Sequence, residues 1–334
     1  MIKIGIVGGG LIALRHIEVL NKDPRCSVKI MLALGSDLSK QTASRHEIEY
    51  TTDKEIFFSQ DLDAVIICSP NATHSEYLDI CISMDVFVMV EKPLFSNYDE
   101  HKIFDQGNIE FLNRKVLVAH HRHHSRKYKQ LKNVLNNGEI GEVVVFHGFA
   151  TWYKPAYYFD AGPWRTEQHQ GGPIRLNAIH DLLLIMELFG EFETVQAIKS
   201  NKVRNYKVED SVAISFKTKS GVIGTFLLSD CVVAPWNWEF TVHENKAYPR
   251  YDGDCYFIAG TKGSIQFPSL TKHFYAGNPD WWCPIESEKI PVLETDPFFE
   301  QSQNFLDMIC DDAKPLVSYS MALSVLKIID EQIL

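Results

Sequence analysis

No cysteine in this chain of 334 residues stands in a Cys-x-x-Cys pair. The seven cysteines, at positions 26, 68, 81, 231, 255, 283 and 310, are scattered and odd in number. That pattern opposes a disulfide framework and a zinc knuckle and suits a reducing, cytoplasmic compartment. No apolar run reaches the ~18 residues of a membrane span, and Met1-Ile2-Lys3 opens no targeting peptide, so no membrane partner is expected. Excess positive charge is missing too. The 33 Lys and Arg against 43 Asp and Glu give a net charge of −10, so no broad nucleic-acid face is expected. There is no internal repeat and no low-complexity segment. What is present is an ordinary globular composition, long enough for two domains.

The first third alternates two kinds of segment. Ile2 to Val7, Ser27 to Leu34, Asp63 to Cys68, Val86 to Val90 and Lys115 to Ala119 are short apolar runs that read as strands buried on both faces. Helical patterns lie between them: Leu11 to Leu20, Leu38 to Arg45, Thr73 to about Met84 and Tyr98 to Phe111. Thr73-x-x-Glu76 fits a capping box at the start of the third helix. Such alternation predicts an α/β Rossmann domain with a doubly wound parallel sheet, over about residues 1–120. Ligands of such sheets sit beyond the carboxyl ends of the strands, where Gly8 to Gly10, Ser36, Asn71 and Lys92 fall.

Gly8-x-Gly10-x-x-Ala13 matches the dinucleotide fingerprint. Gly8 permits the tight turn, Gly10 lets a pyrophosphate approach the backbone, and Ala13 lets helix and strand pack closely. The amides of Leu11 and Ile12 open the helix and face the anion. The expected cofactor is NAD or NADP. Gly35-Ser36-Asp37 ends the second strand. Ser36 leaves room for a 2′-phosphate, with Lys40 or Arg45 to supply charge, whereas Asp37 turned inward would favour a free ribose hydroxyl.

Lys92 follows a buried strand and precedes Pro93. An ammonium at that place can reach a substrate oxygen and stabilise a developing alkoxide. His120, His121, His123 and His124 look like a metal cluster, but alternate residues of a strand diverge and no Cys or carboxylate flanks them at ligand spacing, so no metal is expected. One or two of them are instead expected to line the crevice between domains.

From about residue 121 the pattern changes. Val143 to Phe149, Thr194 to Ile198, Ser211 to Phe216, Val222 to Leu228, Glu239 to Val242 and Tyr256 to Ala259 read as strands of a largely antiparallel open sheet, with Lys219-Ser220-Gly221 as a hairpin turn. Pro173 to Phe189 reads as one helix that places Asn177 and His180 about one turn apart. Before it come Lys154, Trp164 and Arg165, whose ring and cations suit a hydroxylated or anionic substrate. Residues 121–334 are thus expected to bind substrate and to carry subunit contacts, as a homodimer or homotetramer.

Gly8-x-Gly10-x-x-Ala13, Ser69-Pro70-Asn71 with His74, Glu91-Lys92-Pro93, His120-His121-Arg122, and Gly171-Gly172-Pro173 leading to Asn177-x-x-His180-Asp181 come in an order and spacing that resembles the Gfo/Idh/MocA oxidoreductases. The resemblance implies a Rossmann domain followed by an α/β domain. It implies hydride transfer between a nicotinamide and an oxygen-bearing carbon of a sugar, cyclitol, sugar acid or cyclic diol. Carried over, Lys92 is the catalytic lysine and His180 the acid/base or orienting histidine. Ser69, Pro70, Asn71, His74 and Glu91 join Lys92 on the cofactor side. Many members have an aspartate four residues before the histidine. Here that position is Leu176, so Asn177 is expected to orient the substrate while His180 and Lys92 move the proton. Asp181 is left as a tuning or a surface carboxylate. Two other activities stay open: redox-neutral NAD-dependent glycoside cleavage or transfer, and non-catalytic dinucleotide sensing.

Overall fold

The computed structural model describes residues 1–104, 108–168 and 170–334. The chain forms two compact units, one of Met1–His124 with Pro297–Leu326, the other of Ser125–Asp296 with Lys327–Leu334. The expected single division at residue 120 misses the return of residues 297–326 to the first unit.

In the first unit, β1 (Ile2–Val7), β2 (Cys26–Leu32), β3 (Glu49–Thr51), β4 (Ala64–Ile67), β5 (Phe87–Glu91) and β6 (Val116–Ala119) form one sheet in the order β3-β2-β1-β4-β5-β6. All five pairings are parallel. The central strands β1, β4, β5 and β6 are almost wholly apolar and buried, as expected where helices cover both faces of such a sheet, whereas the edge strand β3 buries only Thr51. Strand order reverses between β1 and β4, which makes their carboxyl ends the topological switch point. The core packs Ile4, Ile6, Ile17 and Leu20 with Phe305, Leu306 and Met308 of the returning helix Pro297–Asp311.

Two local expectations fail here. The helix expected over 98–111 is instead a 3-10 turn at Tyr98–Ile103 and a helix at Ile109–Lys115, and part of that stretch lies outside the described residues. The capping box is not made. Thr73 is already helical (φ −110°, ψ −2°), so its hydroxyl turns back to donate to the Pro70 carbonyl and lies 2.7 Å from Ser69 Oγ, while Glu76 pairs with Lys54.

The second unit carries β7 (Val143–Thr151), β8 (Phe192–Ser200), β9 (Ser211–Thr218), β10 (Ile223–Ser229), β11 (Tyr256–Gly260), β12 (Gly263–Phe267), β13 (Thr271–Phe274) and β14 (Glu286–Lys289). Their order is β14-β13-β12-β11-β7-β10-β9-β8, antiparallel except for β7 beside β10. Strict alternation along β9 and β10 buries Ile214, Phe216, Phe226 and Leu228 and leaves Ile223 and Leu227 exposed. Gly221, at φ +95°, makes the expected hairpin turn. Glu239 to Val242, expected as a strand, is part of a short helix, Trp238–Val242. The Asn237 side chain caps it by accepting from the Phe240 amide at 3.0 Å, and Trp238 fills the core.

Candidate active site

The glycine turn is built from β1 outward. Gly8 has φ +104°, and a Cβ there would lie 2.5 Å from the Cys68 carbonyl oxygen, so this glycine is required by the fold. Gly10 differs. It caps the helix Leu11–Leu20 in an extended conformation, with no side-chain cap and no acidic residue in the first turn, and a Cβ on it would meet nothing within 4 Å. No side chain caps the first amides of that helix, on Leu11 and Ile12, and the space that a Cβ on Gly10 would take is open. Ala13 is fully buried against the sheet. These are the features that a pyrophosphate needs, and the turn fits a dinucleotide.

At the end of β2, Ser36 caps the helix Asp37–Arg45, its hydroxyl accepting from the Ser39 amide at 3.2 Å. Asp37, Lys40 and Arg45 are all exposed. At the end of β4, Ser69, Pro70 and Asn71 enter a 3-10 turn beside the glycine loop. His74 is fully buried. Its Nδ1 lies 3.0 Å from the Pro93 carbonyl oxygen and its Nε2 2.9 Å from that of Ser69. Burial lowers its pKa. Expected on the cofactor side, His74 instead lies buried between the β4 loop and the turn after Lys92, with a main-chain carbonyl at each ring nitrogen.

That turn is held from both sides. The Lys92–Pro93 peptide is cis. The Lys92 amide donates to Glu91 Oε2 at 3.2 Å, and Glu91 Oε1 lies 2.8 Å from His16 Nε2. Glu91 and His16 are buried, and Lys92 is half-buried. Glu91 thus acts on the main chain of Lys92 from behind. His16 was not singled out from sequence, although it sits one turn past Ile12 on the same helix. The β6 end places His120, His123 and His124 in the interior, while His121 stacks on Phe298 at 4.7 Å. Desolvation, then neighbouring cations including Lys92, push the pKa of His120 and of His121 well down. Among the described residues no group of three or more metal-ligating side chains converges.

In the second unit, Asn177 lies on a wide turn, Ile174–Ala178, where the Ile179 amide donates to the carbonyl of Ile174 five residues back. The α-helix Ile179–Phe189 begins after it. The expected helix is present, with its first turn widened to i→i+5 bonding where Asn177 stands, a feature frequent at functional sites. The Ile174 amide donates to Glu209 Oε1 at 3.0 Å, and Arg175 pairs with Asp330. His180 and Asp181 are both buried. Asp181 accepts from the Tyr256 hydroxyl of β11, which makes it an internal anchor of the helix and not a surface carboxylate. Gly171 and Gly172 pack the helix start against the loop before it. A Cβ on Gly171 would lie 1.9 Å from the Arg165 carbonyl oxygen, and one on Gly172, at φ +85°, 2.5 Å from Glu209 Oε1.

Lys154 and Asn177 come together, with Lys154 Nζ donating to Asn177 Oδ1 at 2.6 Å. Lys154 is also 3.6 Å from Asp230 Oδ2, and Arg204 Nε donates to Asp230 Oδ1 at 2.9 Å. Burial raises the Asp230 pKa, opposed by Lys154 and Arg204. Lys154 Nζ lies 5.0 Å from the Tyr158 ring centroid, and Arg165 Cζ 4.1 Å from it. Trp164 stands beside Arg165, at 5.3 Å, and is 40 % exposed. Tyr158, Arg204 and Asp230 were missed from sequence. A strand ending on an acid, Leu228-Ser229-Asp230, was the available signal.

Residues 2–106 match the family model described as "Oxidoreductase family, NAD-binding Rossmann fold", and residues 128–266 match "GFO/IDH/MocA C-terminal domain". The chain is 28% identical over 142 residues to the uncharacterized oxidoreductase YrbE of Bacillus subtilis, a stretch of 42% of this chain and 41% of that protein. It is 25% identical over 276 residues to the inositol 2-dehydrogenase of Rubrobacter xylanophilus, covering 81% and 72%. Among solved structures, the WlbA dehydrogenase of Bordetella pertussis, in complex with NADH and UDP-GlcNAcA, superposes with a TM-score of 0.77 at 18% identity, over 99% of this chain and 95% of that one. With its NAD-binding Rossmann domain joined to the matching C-terminal domain, the chain belongs to the GFO/IDH/MocA oxidoreductase family.

Proposed function

We propose that this oxidoreductase is an NAD(P)-dependent dehydrogenase or reductase that moves a hydride between a nicotinamide and the CH–OH or C=O carbon of a sugar, cyclitol, sugar acid or cyclic diol. The observation that carries the reading is the Lys92 turn. Glu91, His16 and His74 hold its main chain from inside the fold and leave the half-buried lysine at the carboxyl end of β5. A bound nicotinamide supplies the hydride acceptor or donor. Gly8, Gly10 and the amides of Leu11 and Ile12 would hold the pyrophosphate, with Ser69, Pro70 and Asn71 on the same side. The Lys92 ammonium donates to the reacting oxygen and stabilises its alkoxide character. In the oxidative direction the C–H bond breaks with its electron pair, the hydroxyl proton passes to His180, and the carbonyl forms. Asn177 fixes a neighbouring hydroxyl, and Lys154, Trp164 and Arg165 engage the distal part of the substrate. The names of relatives support this substrate class, since one is an inositol 2-dehydrogenase and a structural neighbour binds UDP-GlcNAcA.

The same reading includes a homodimer or homotetramer. Val145, Phe149, Ile223, Leu227 and Phe257 on one face of the eight-stranded sheet support it, four of them more than a third exposed. Among the described residues no helix is long and apolar enough to cross a membrane.

The test is Lys92→Ala. Dinucleotide affinity, read by NAD(P)H fluorescence, should stay within a few-fold, while turnover on any accepted polyol falls by about 10²–10³ or more. Unchanged turnover removes Lys92 from the mechanism. Net cofactor reduction against a panel of sugars, cyclitols, sugar acids and cyclic diols separates this activity from redox-neutral glycoside chemistry and from dinucleotide sensing.

A further inference from the structure

We infer that the substrate presents an anionic oxygen pair, a carboxylate or a phosphate, to Arg165. The inference rests on the reading of Arg165 and Asn177 as the substrate side of the second unit. The loop before the widened helical turn is shaped around the Arg165 guanidinium. Its Cζ lies 4.1 Å from the Tyr158 ring centroid. Gly162 is also close, since a Cβ there would lie 3.0 Å from the same atom. Gly171 closes on the Arg165 main chain from behind. Nη1 donates to the Tyr158 carbonyl, which fixes the plane of the group.

A cation fixed this firmly ordinarily has an acid opposite it. Among the described residues Arg165 has none. Glu167, two residues on, is paired with Lys207 at 2.7 Å, and Asp230 is shared by Arg204 and Lys154. Arg165 Nε is buried and meets no acceptor. A buried N–H donor left without a partner is costly and needs a reason.

Asn177 points to the same chemistry. An ammonium has only donors, so Lys154 fixes Oδ1 of Asn177 toward itself and leaves the amide N–H groups to face a ligand. Those N–H groups have no acceptor among the described residues. The side chains that lack partners are therefore donors, one of them cationic. Asp230 acts as a positioning residue, because it pairs with the Lys154 ammonium that sets the amide, and Arg204 in turn fixes Asp230. A planar guanidinium fork takes two oxygens of one carboxylate or one phosphate, which a neutral polyol does not supply.

The experiment is equilibrium binding to the full chain in the presence of NADH, with glucuronate, glucose 6-phosphate and glucose as probes. The readout is isothermal titration. Wild type is compared with Arg165→Gln and, should that variant fail to fold, with Arg165→Lys, which keeps the charge but loses the fork. At least one anionic probe should bind tenfold or more tighter than glucose, and its advantage should shrink in either variant. Which anion gains identifies the source of the oxygens. Equal or weaker binding of both anions than of glucose overturns the inference, as does an anion preference that survives Arg165→Gln. Cofactor oxidation or reduction recorded on the broader polyol panel reports separately on the oxidoreductase reading, so the two can fail independently.

Discussion

The two glycines of the first turn should respond oppositely to one added methyl group. Gly10 is extended (φ −81°, ψ −174°), a conformation open to any residue, and its Cβ position is empty to 4 Å. Gly10→Ala removes about 0.4–1 kcal/mol of unfolded-state entropy and gives back a similar amount by replacing a tolerated helix cap with a poor one. The net change in stability should be within about 0.5 kcal/mol. Its cost falls on the ligand, because the methyl occupies space that the pyrophosphate must enter. Dinucleotide affinity should drop at least about tenfold, or 1.4 kcal/mol. Gly8→Ala behaves differently. The left-handed backbone costs about 1–2 kcal/mol for a side-chain-bearing residue. Its Cβ would also lie 2.5 Å from the Cys68 carbonyl oxygen, forcing β1 and β4 apart at their ends. A loss of about 2–4 kcal/mol is expected from strain and overpacking together. Thermal melting of the unliganded protein and NAD(P)H fluorescence titration of each variant measure the two effects. Near-wild-type melting with lost binding for Gly10→Ala, and a clearly lowered melting temperature for Gly8→Ala, is the expected pair. Wild-type affinity in Gly10→Ala would refute the placement of the pyrophosphate over this turn.

Ser36→Asp retains a good helix cap and adds a carboxylate at the end of β2, so kcat/KM for NADP+ relative to NAD+ should fall about tenfold or more while the melting temperature holds, as steady-state kinetics with both cofactors will read. A rise in that ratio would remove position 36 from the cofactor site. Burial pushes the Glu244 carboxyl from 4.5 up to about 7, while Ser125, Lys127 and Trp238 oppose the shift and Glu239 adds to it. A folded pKa above the unfolded one means the native state binds the extra proton. Its contribution to stability is therefore present below pH 4.5 and is lost as pH rises toward about 7. Glu244→Gln should flatten that decline in denaturant titrations taken across the window, and an unchanged slope would show that Glu244 titrates normally.

The parallel sheet was legible because its strands are buried on both faces and so read as unbroken apolar runs, set between amphipathic segments. What was missed has no such period. β3 is three residues long with only Thr51 buried, too short to alternate or to form a run. Residues 239–242 are β-prone by composition, yet the Asn237 cap and the burial of Trp238 make them a helix, a tertiary outcome that local propensity does not determine. The return of Pro297–Asp311 to the first unit is likewise invisible locally, since an amphipathic helix shows that it packs but not on what.

The candidate site divides along the same line. Gly8, Gly10 and Lys92 could be singled out as candidates because turns and strand ends have local signatures. Tyr158, Arg204 and Asp230 were not, because a platform and a clamp are defined by what they touch. Asp230 meets a lysine 76 positions earlier, and nothing in the spacing announces it. The structure adds a means of separating scaffold from site that pattern alone lacks. Gly8 and Gly171 are explained by backbone that would clash with a side chain. Gly10 has no such neighbour, and Arg165 Nε has no acceptor. Empty space beside a glycine and a cation with no acid opposite it are features that packing alone does not explain, and a bound dinucleotide and an anionic substrate would account for one each.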